Sequence, residues 1–100
     1  MIRHIVMWSL HNPAEASRFK SLLDSCAGLV PGIVEFDVGI RESGLDANID
    51  VVLVSTFTDT SQLDAYQNHP HHKEVGAQLA TLRASRHVLD YTCGSARSAA

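Results

Sequence analysis

The sequence predicts an α+β fold in a single domain, with a four-stranded antiparallel sheet that has helices on one of its faces. Several segments alternate between apolar and polar residues or are continuously apolar over the length of a strand. Two other regions carry apolar residues at helical spacing, and each begins with a recognisable N-cap. The predicted order is β-α-β-β-α-β, which is the split βαβ arrangement of ferredoxin-like folds.

The first strand, residues 2–10, is largely apolar on both faces. With a period of two, His4, Val6 and Trp8 share one of these faces. The third strand, residues 49–57, is also apolar on both faces in its middle, as expected for a strand that is covered on two sides. Two helices cover only one face of the sheet. We therefore expect a homodimer in which the two sheets close on one another.

Capping and turn residues indicate where the elements between these strands begin and end. Asn12 is a suitable N-cap for a helix of about four turns, because Pro13 has no N–H to leave unpaired at the first helical position. Gly28 is the expected C-terminal stop of this helix. The second strand, residues 33–41, alternates between apolar and polar side chains, and residues 42–48 form a polar hairpin loop.

The second helical region is predicted to be interrupted. Asp59 is its expected N-cap. Pro70 cannot continue the helix, so a break falls near His69 and a second helical piece covers about residues 70–82. The fourth strand is predicted over residues 86–92.

Composition and charge restrict the functional classes. The chain has 100 residues, of which 45% are hydrophobic and 19% are charged, as in an ordinary globular domain. We predict one domain over residues 1–93 and a flexible C-terminal tail over residues 94–100. The net charge of −3 and the scattered basic residues argue against nucleic-acid and membrane binding. No signal peptide is visible, so we expect a cytoplasmic protein in which Cys26 and Cys93 are reduced.

The segment LDAYQNHPHHKEV, residues 63–75, holds the candidate site. Tyr66 and His72 are suited to acid–base chemistry, because histidine titrates near neutral pH and a tyrosine hydroxyl can donate to an oxyanion. The alternative is structural, with Tyr66 a half-buried helix aromatic and His72 bonded to the backbone. Helical spacing places His71 and His72 about equally far from the apolar stripe, so spacing alone does not decide which one faces a pocket.

The cluster of histidines could also suggest a metal site. However, His69, His71 and His72 diverge at a helix start, and no Asp, Glu or Cys stands nearby at ligand spacing. We therefore predict neither a metal nor another cofactor. The sequence also shows no Ser-His-Asp combination, phosphate-binding loop or pair of catalytic carboxylates.

Several segments together resemble the stress-responsive A/B barrel family. These segments are IRHIVMW, VPGIVEFDVG, DVVLVSTF, LDAYQNHPHHKEV and VLDY, and the resemblance spans about residues 2–92. It implies a dimeric α+β barrel built from ferredoxin-like subunits. Members of this family include plant stress proteins without an assigned reaction and a polyketide cyclase that makes olivetolic acid.

The resemblance implies roles for three side chains. In the cyclase branch, the residues that match Tyr66 and His72 act on a linear polyketide. The histidine removes a proton for an intramolecular aldol closure, and the tyrosine orients the histidine or the substrate. The strand histidine that matches His4 lines the same pocket. The likeness therefore favours His72 over His71 and implies His72, Tyr66 and His4 as catalytic residues.

Three functional hypotheses follow. The first is a homodimer of unassigned activity that binds a small hydrophobic or aromatic ligand in a pocket that also includes Trp8 and His69. Trp8 could narrow this pocket or serve as its aromatic wall. The second is a cofactor-independent cyclase or isomerase that uses His72 as a base with Tyr66. The third, a monooxygenase of the wider dimeric barrel superfamily, rests on fold analogy alone.

Overall fold

The computed structural model describes residues 1–94, which form one antiparallel sheet covered on one face by helices. The elements in chain order are β1 (Ile2–Leu10), α1 (Ala16–Asp24), β2 (Ile33–Ile40), β3 (Val51–Phe57), α2 (Thr60–Asn68), α3 (Pro70–Leu82) and β4 (Arg83–Thr92). The strand order is β2-β3-β1-β4, so the predicted ferredoxin-like fold class is confirmed. All of the predicted C-terminal tail except Gly94 lies outside the described residues.

The first helical region begins as predicted but ends earlier. The side chain of Asn12 accepts a hydrogen bond from the backbone N–H of Ala14, and a short 3₁₀ turn over Pro13–Glu15 precedes α1. α1 ends at Asp24, about one turn before the predicted stop at Gly28. The reason is that the following backbone N–H groups change to the tighter i→i+3 pattern.

The predicted break in the second helical region is present. Asp59 caps α2 by accepting the backbone N–H of Gln62 at 3.0 Å. His69 has an extended backbone with φ −62° and ψ 134°, and Pro70 starts α3. Nδ1 of His69 accepts the backbone N–H of His71 at 3.1 Å, so this histidine is the N-cap of α3.

β4 begins at Arg83, three residues before the predicted start at Arg86. It pairs with β1 in a regular register until Ser9 faces Ser85, and Leu10 then faces Arg83. Ala84 is therefore an extra residue on β4. The extra residue interrupts the alternation of the strand, and the pattern of alternating residues therefore identifies only the part of β4 that follows it.

The inner face of the sheet and the helices enclose the core. Val6 and Trp8 of β1 and Leu53 of β3 are all less than 5% exposed. Trp8 meets Phe19 of α1 edge to face, with ring centroids 5.1 Å apart. The prediction that His4, Val6 and Trp8 share a face is confirmed, because all three are buried on this side.

No helix within residues 1–94 lies over the outer face of the sheet, which carries apolar side chains. Ile5 pairs with Leu89 on one side and with Val54 on the other, and Met7 pairs with Val52. Met7 is 41% exposed and Leu89 is 62% exposed in the single chain. The surface that led to the expectation of a homodimer is therefore present. None of the helices within residues 1–94 is long and apolar enough to span a membrane.

We predict that Leu89→Asp converts a dimer into a monomer, because it would place a carboxylate in the apolar surface between two facing sheets. Sedimentation at micromolar concentration should give about twice the chain mass of 10.9 kDa for the native protein and the chain mass for the variant. Leu45→Asp is the matched control, because Leu45 is 67% exposed in the loop between β2 and β3. A native protein that sediments as a monomer would contradict the expectation of a dimer.

Candidate functional site

A cavity of about 210 Å³ lies between the inner face of the sheet and the helices. Most of its wall is apolar and comes from Val6, Trp8, Leu23, Cys26, Leu53, Val75 and Leu79. Its polar groups come from His4, Tyr66, His72, Arg83 and Arg86. Pockets for drug-sized ligands have volumes of roughly 300–1,000 Å³, so this cavity suits a smaller ligand.

One face of α3 forms the helical wall of the cavity. His72, Val75, Gly76 and Leu79 follow one another at the spacing that keeps side chains on one side of a helix. Apart from its chain neighbours and the backbone of its own helix, no described atom lies within 4 Å of the position that a Cβ on Gly76 would occupy. A glycine in a helix interior costs roughly 0.5–1 kcal/mol relative to alanine. Here the missing side chain leaves space on the cavity side of the helix.

His4 is held in place from the neighbouring strand. It is 2% exposed and faces Asp90 directly in the register of β1 and β4. Nδ1 of His4 is hydrogen-bonded to Oδ1 of Asp90. No hydrogen bond to Nε2 occurs within residues 1–94. The carboxylate thus fixes the ring orientation and, in the neutral imidazole, leaves Nε2 as the acceptor.

Tyr66 is the most enclosed polar side chain of the site. It is 0% exposed, and its hydroxyl has no hydrogen-bond partner among the described residues. Its ring centroid lies 4.5 Å from that of His72, 5.1 Å from that of Phe57 and 6.4 Å from that of His4. Burial raises the pKa of the Tyr66 hydroxyl well above its ordinary value of 10.0, so the group is a proton donor and not a phenolate at neutral pH.

His72 stands in the first turn of α3 and is half-buried. Burial lowers the pKa of its ring below the ordinary value of 6.5. A hydrogen bond to the backbone of Gln67 opposes this shift, and the positive charge of Arg86 acts in the same direction as burial. His72 is therefore mostly neutral at neutral pH and can accept a proton. His71 points elsewhere, since its Nε2 lies 2.8 Å from the hydroxyl of Ser25. Of the two adjacent histidines, His72 is the one that lines the cavity.

The remaining candidate residues differ in whether they line the cavity. Trp8 lines the cavity and also packs on α1, so it forms an aromatic wall. His69 does not line the cavity, because its ring is used to cap α3. Burial raises the pKa of the Cys26 thiol, which is therefore not a thiolate at neutral pH. Within residues 1–94, no group of three or more His, Cys, Asp or Glu side chains is placed to hold a metal ion.

The structure thus brings together His4, Trp8, Tyr66 and His72 around one cavity. The sequence argument missed four residues of the site and its surroundings, namely Asp90, Arg83, Arg86 and Gly76. The alternation of the last strand does place Asp90 on the face of Val88, but only the pairing register shows that it meets His4. No local signal identifies Arg83, because its orientation depends on the extra residue Ala84.

We predict that Tyr66→Phe raises the free energy of unfolding by about 1 kcal/mol, because a buried hydroxyl without a partner destabilises the folded state. Urea denaturation would measure this change. Tyr91→Phe is the control, since the Tyr91 hydroxyl is bonded to Arg3 at 3.3 Å and its removal should give no such gain. A Tyr66→Phe variant that is less stable than the native protein would show that the hydroxyl has a structural partner.

Comparison with known proteins identifies the family of the chain. The model of the stress-responsive A/B barrel domain matches residues 2–93. No curated protein shows significant similarity. Many solved structures share the fold. A dimeric ferredoxin-like protein of unknown function from Thermobifida fusca is 22% identical, with a TM-score of 0.81 over 92% of this chain and 90% of that one.

Two further structures show the range of this fold. A dimeric ferredoxin-like protein of unknown function from Jannaschia is 28% identical, with a TM-score of 0.74 over 92% of this chain and 98% of that one. A cofactor-independent oxygenase from Streptomyces nogalater is 17% identical, with a TM-score of 0.76 over 97% and 96% of the two chains. At this identity the oxygenase shares the fold alone. The family resemblance of the sequence is confirmed, and the chain belongs to the stress-responsive A/B barrel domain family.

Proposed function

We propose that this protein is a homodimer that binds a small, mainly apolar ligand with a carbonyl oxygen in the cavity beneath α3. The observation that carries the proposal is the hydroxyl of Tyr66, which is buried at the cavity without a partner among the described residues. A buried donor of this kind costs about 1–3 kcal/mol. A ligand oxygen that accepts its hydrogen bond would remove this cost, so the cavity favours ligands with such an oxygen.

The rest of the wall supports the same class of ligand. Trp8, Val75 and Leu79 offer apolar surface. His72 is mostly neutral at neutral pH and adds little charge of its own to the wall. The dimeric state is part of the proposal and is supported by the open apolar face of the sheet and by the dimeric relatives. A cytoplasmic location remains the expectation from the sequence.

The second candidate function is cofactor-independent proton transfer of the cyclase or isomerase kind. It is favoured by the contact between Tyr66 and His72, whose ring centroids are 4.5 Å apart. A neutral His72 would take a proton from the carbon next to a ligand carbonyl, and the C–H electron pair would move to the carbonyl oxygen. Tyr66 would donate a hydrogen bond to the resulting enolate oxygen.

The enolate carbon could then react in two ways. In an isomerase, His72 returns the proton to another carbon. In a cyclase, the enolate carbon forms a C–C bond with a second carbonyl carbon, and the new alkoxide takes the proton from His72. His4, oriented by Asp90, would present Nε2 to the ligand from the opposite wall. A monooxygenase is supported only by fold likeness, as in the oxygenase from Streptomyces nogalater.

Ligand binding can be tested with acetophenone, a small aromatic ketone, by backbone amide NMR. We expect chemical-shift changes at Val75 and Gly76 in the native protein, since both line the cavity. Gly76→Leu should abolish them by filling the space on the cavity side of α3. Gly28→Leu is the control, because Gly28 is also free of atoms within 4 Å but lies outside the cavity. Binding that survives Gly76→Leu would contradict the proposed location.

The same ketone tests proton transfer. In deuterium oxide, the protein should accelerate exchange of the acetophenone methyl protons, and His72→Gln should lower the catalysed rate by about 10²-fold. The rate should fall as the pH drops through the pKa of His72, which lies below 6.5, because the protonated ring cannot act as a base. His11→Gln is the control, since His11 is exposed and does not line the cavity. Binding without His72-dependent exchange would leave ligand binding as the function and eliminate the enzymatic candidate.

A further inference from the structure

Two arginines stand at the cavity without a carboxylate partner among the described residues. Arg83 and Arg86 both belong to its lining, and no Asp or Glu does. Within residues 1–94, neither guanidinium lies within salt-bridge distance of a carboxylate. Neither guanidinium makes a hydrogen bond to another described group. The cavity therefore combines an apolar interior with two uncompensated positive charges.

The other arginines within residues 1–94 are partnered. Arg3 lies 3.9 Å from Glu35, Arg18 lies 3.7 Å from Glu15, and Arg41 lies 3.9 Å from Asp50. The absence of such a carboxylate is thus a property of the two cavity arginines and not of the described arginines in general. It leaves both guanidinium groups available to an anion from outside the chain.

The backbone brings the two side chains to the same place. In a regular strand, residues three positions apart point to opposite faces. The extra residue Ala84 changes this relation, because Arg83 faces Leu10 and Arg86 faces Trp8, and both of these β1 residues are buried on the inner face. The irregularity in β4 therefore directs two guanidinium groups to the cavity side of the sheet, where a regular strand would direct one.

The charge of Arg86 affects a neighbouring side chain of the cavity. Arg86 lies close enough to His72 for its positive charge to be one of the smaller causes that lower the pKa of this ring. Arg83 is only partly exposed, and it stands where α3 ends and β4 begins. A guanidinium presents paired N–H donors that match a carboxylate, and such charge-assisted hydrogen bonds are stronger than neutral ones.

We propose that the ligand of this cavity is an organic monoanion, whose apolar body lies against Trp8 and whose carboxylate is bound by Arg83 and Arg86. This inference rests on the proposed ligand-binding function and adds the charge of the ligand to it. The carboxylate supplies the negative charge that residues 1–94 do not place beside these arginines. The apolar body occupies the part of the cavity between the sheet and α3.

The test compares phenylpropanoate with its neutral amide, phenylpropanamide, by backbone amide NMR titration of the full chain. The two probes share an apolar body of the same shape and differ in charge. We expect the carboxylate to bind about tenfold more tightly than the amide, with shifts at Gly76 and at the start of β4. The double variant Arg83→Gln, Arg86→Gln should lose this preference while its affinity for the amide stays within about twofold of the native value. Arg18→Gln is the control, because Arg18 is an exposed residue of α1 outside the cavity.

The outcomes separate this inference from the proposed function. If both probes bind in the cavity with equal affinity, the anionic ligand is refuted and ligand binding stands. If the double variant keeps the preference for the carboxylate, binding of that carboxylate by Arg83 and Arg86 is refuted. If neither probe nor acetophenone shifts the cavity residues, both proposals fail. The single variants refine the result, because a loss confined to Arg86→Gln would overturn joint binding by the two arginines.

Discussion

Strand β1 must be covered on both of its faces, and the rest of the structure depends on this constraint. Its inner face holds Val6 and Trp8, which are buried by the helices. Its outer face holds Ile5 and Met7, and no helix within the described chain covers them. Burial of apolar surface stabilises the folded state by about 25 cal/mol per Å². A central strand with one face uncovered therefore lacks a large part of the stabilisation that burial could give it. The same strand also carries His4, which ties the site to the centre of the sheet.

The site depends equally on the interruption between α2 and α3. If one straight helix covered residues 60–82, Tyr66 and His72 would be separated by nearly two turns and would point about 120° apart, at roughly 100° per residue. The break at His69 and Pro70 redirects the chain, so that the two rings lie with centroids 4.5 Å apart. His69 contributes by capping α3, and it does not line the cavity. Its part in the site is therefore indirect.

The fold could be predicted largely from local patterns, whereas the site could be predicted only in part. Alternation, the caps at Asn12 and Asp59, and the break at Pro70 are encoded in neighbouring residues, and the structure contains each of them. The pairing of His4 with Asp90 joins residues from opposite ends of the chain and depends on strand register. The orientation of Arg83 depends on an irregularity in that register. Contacts of this kind are set by tertiary packing, which a single sequence does not display.

The polar groups of the cavity differ in whether the described residues supply their hydrogen-bond partners. His4 has a carboxylate partner in Asp90, and this bond keeps a buried imidazole in one orientation. The hydroxyl of Tyr66 has no partner among residues 1–94, although burial makes an unpaired donor costly. A packed core of purely structural purpose would favour phenylalanine at this position, since the ring contacts would remain and the cost would disappear. The hydroxyl of Tyr66, unpartnered among the described residues in an otherwise well-packed aromatic cluster, is therefore the observation that most directly supports a binding site over a purely structural core.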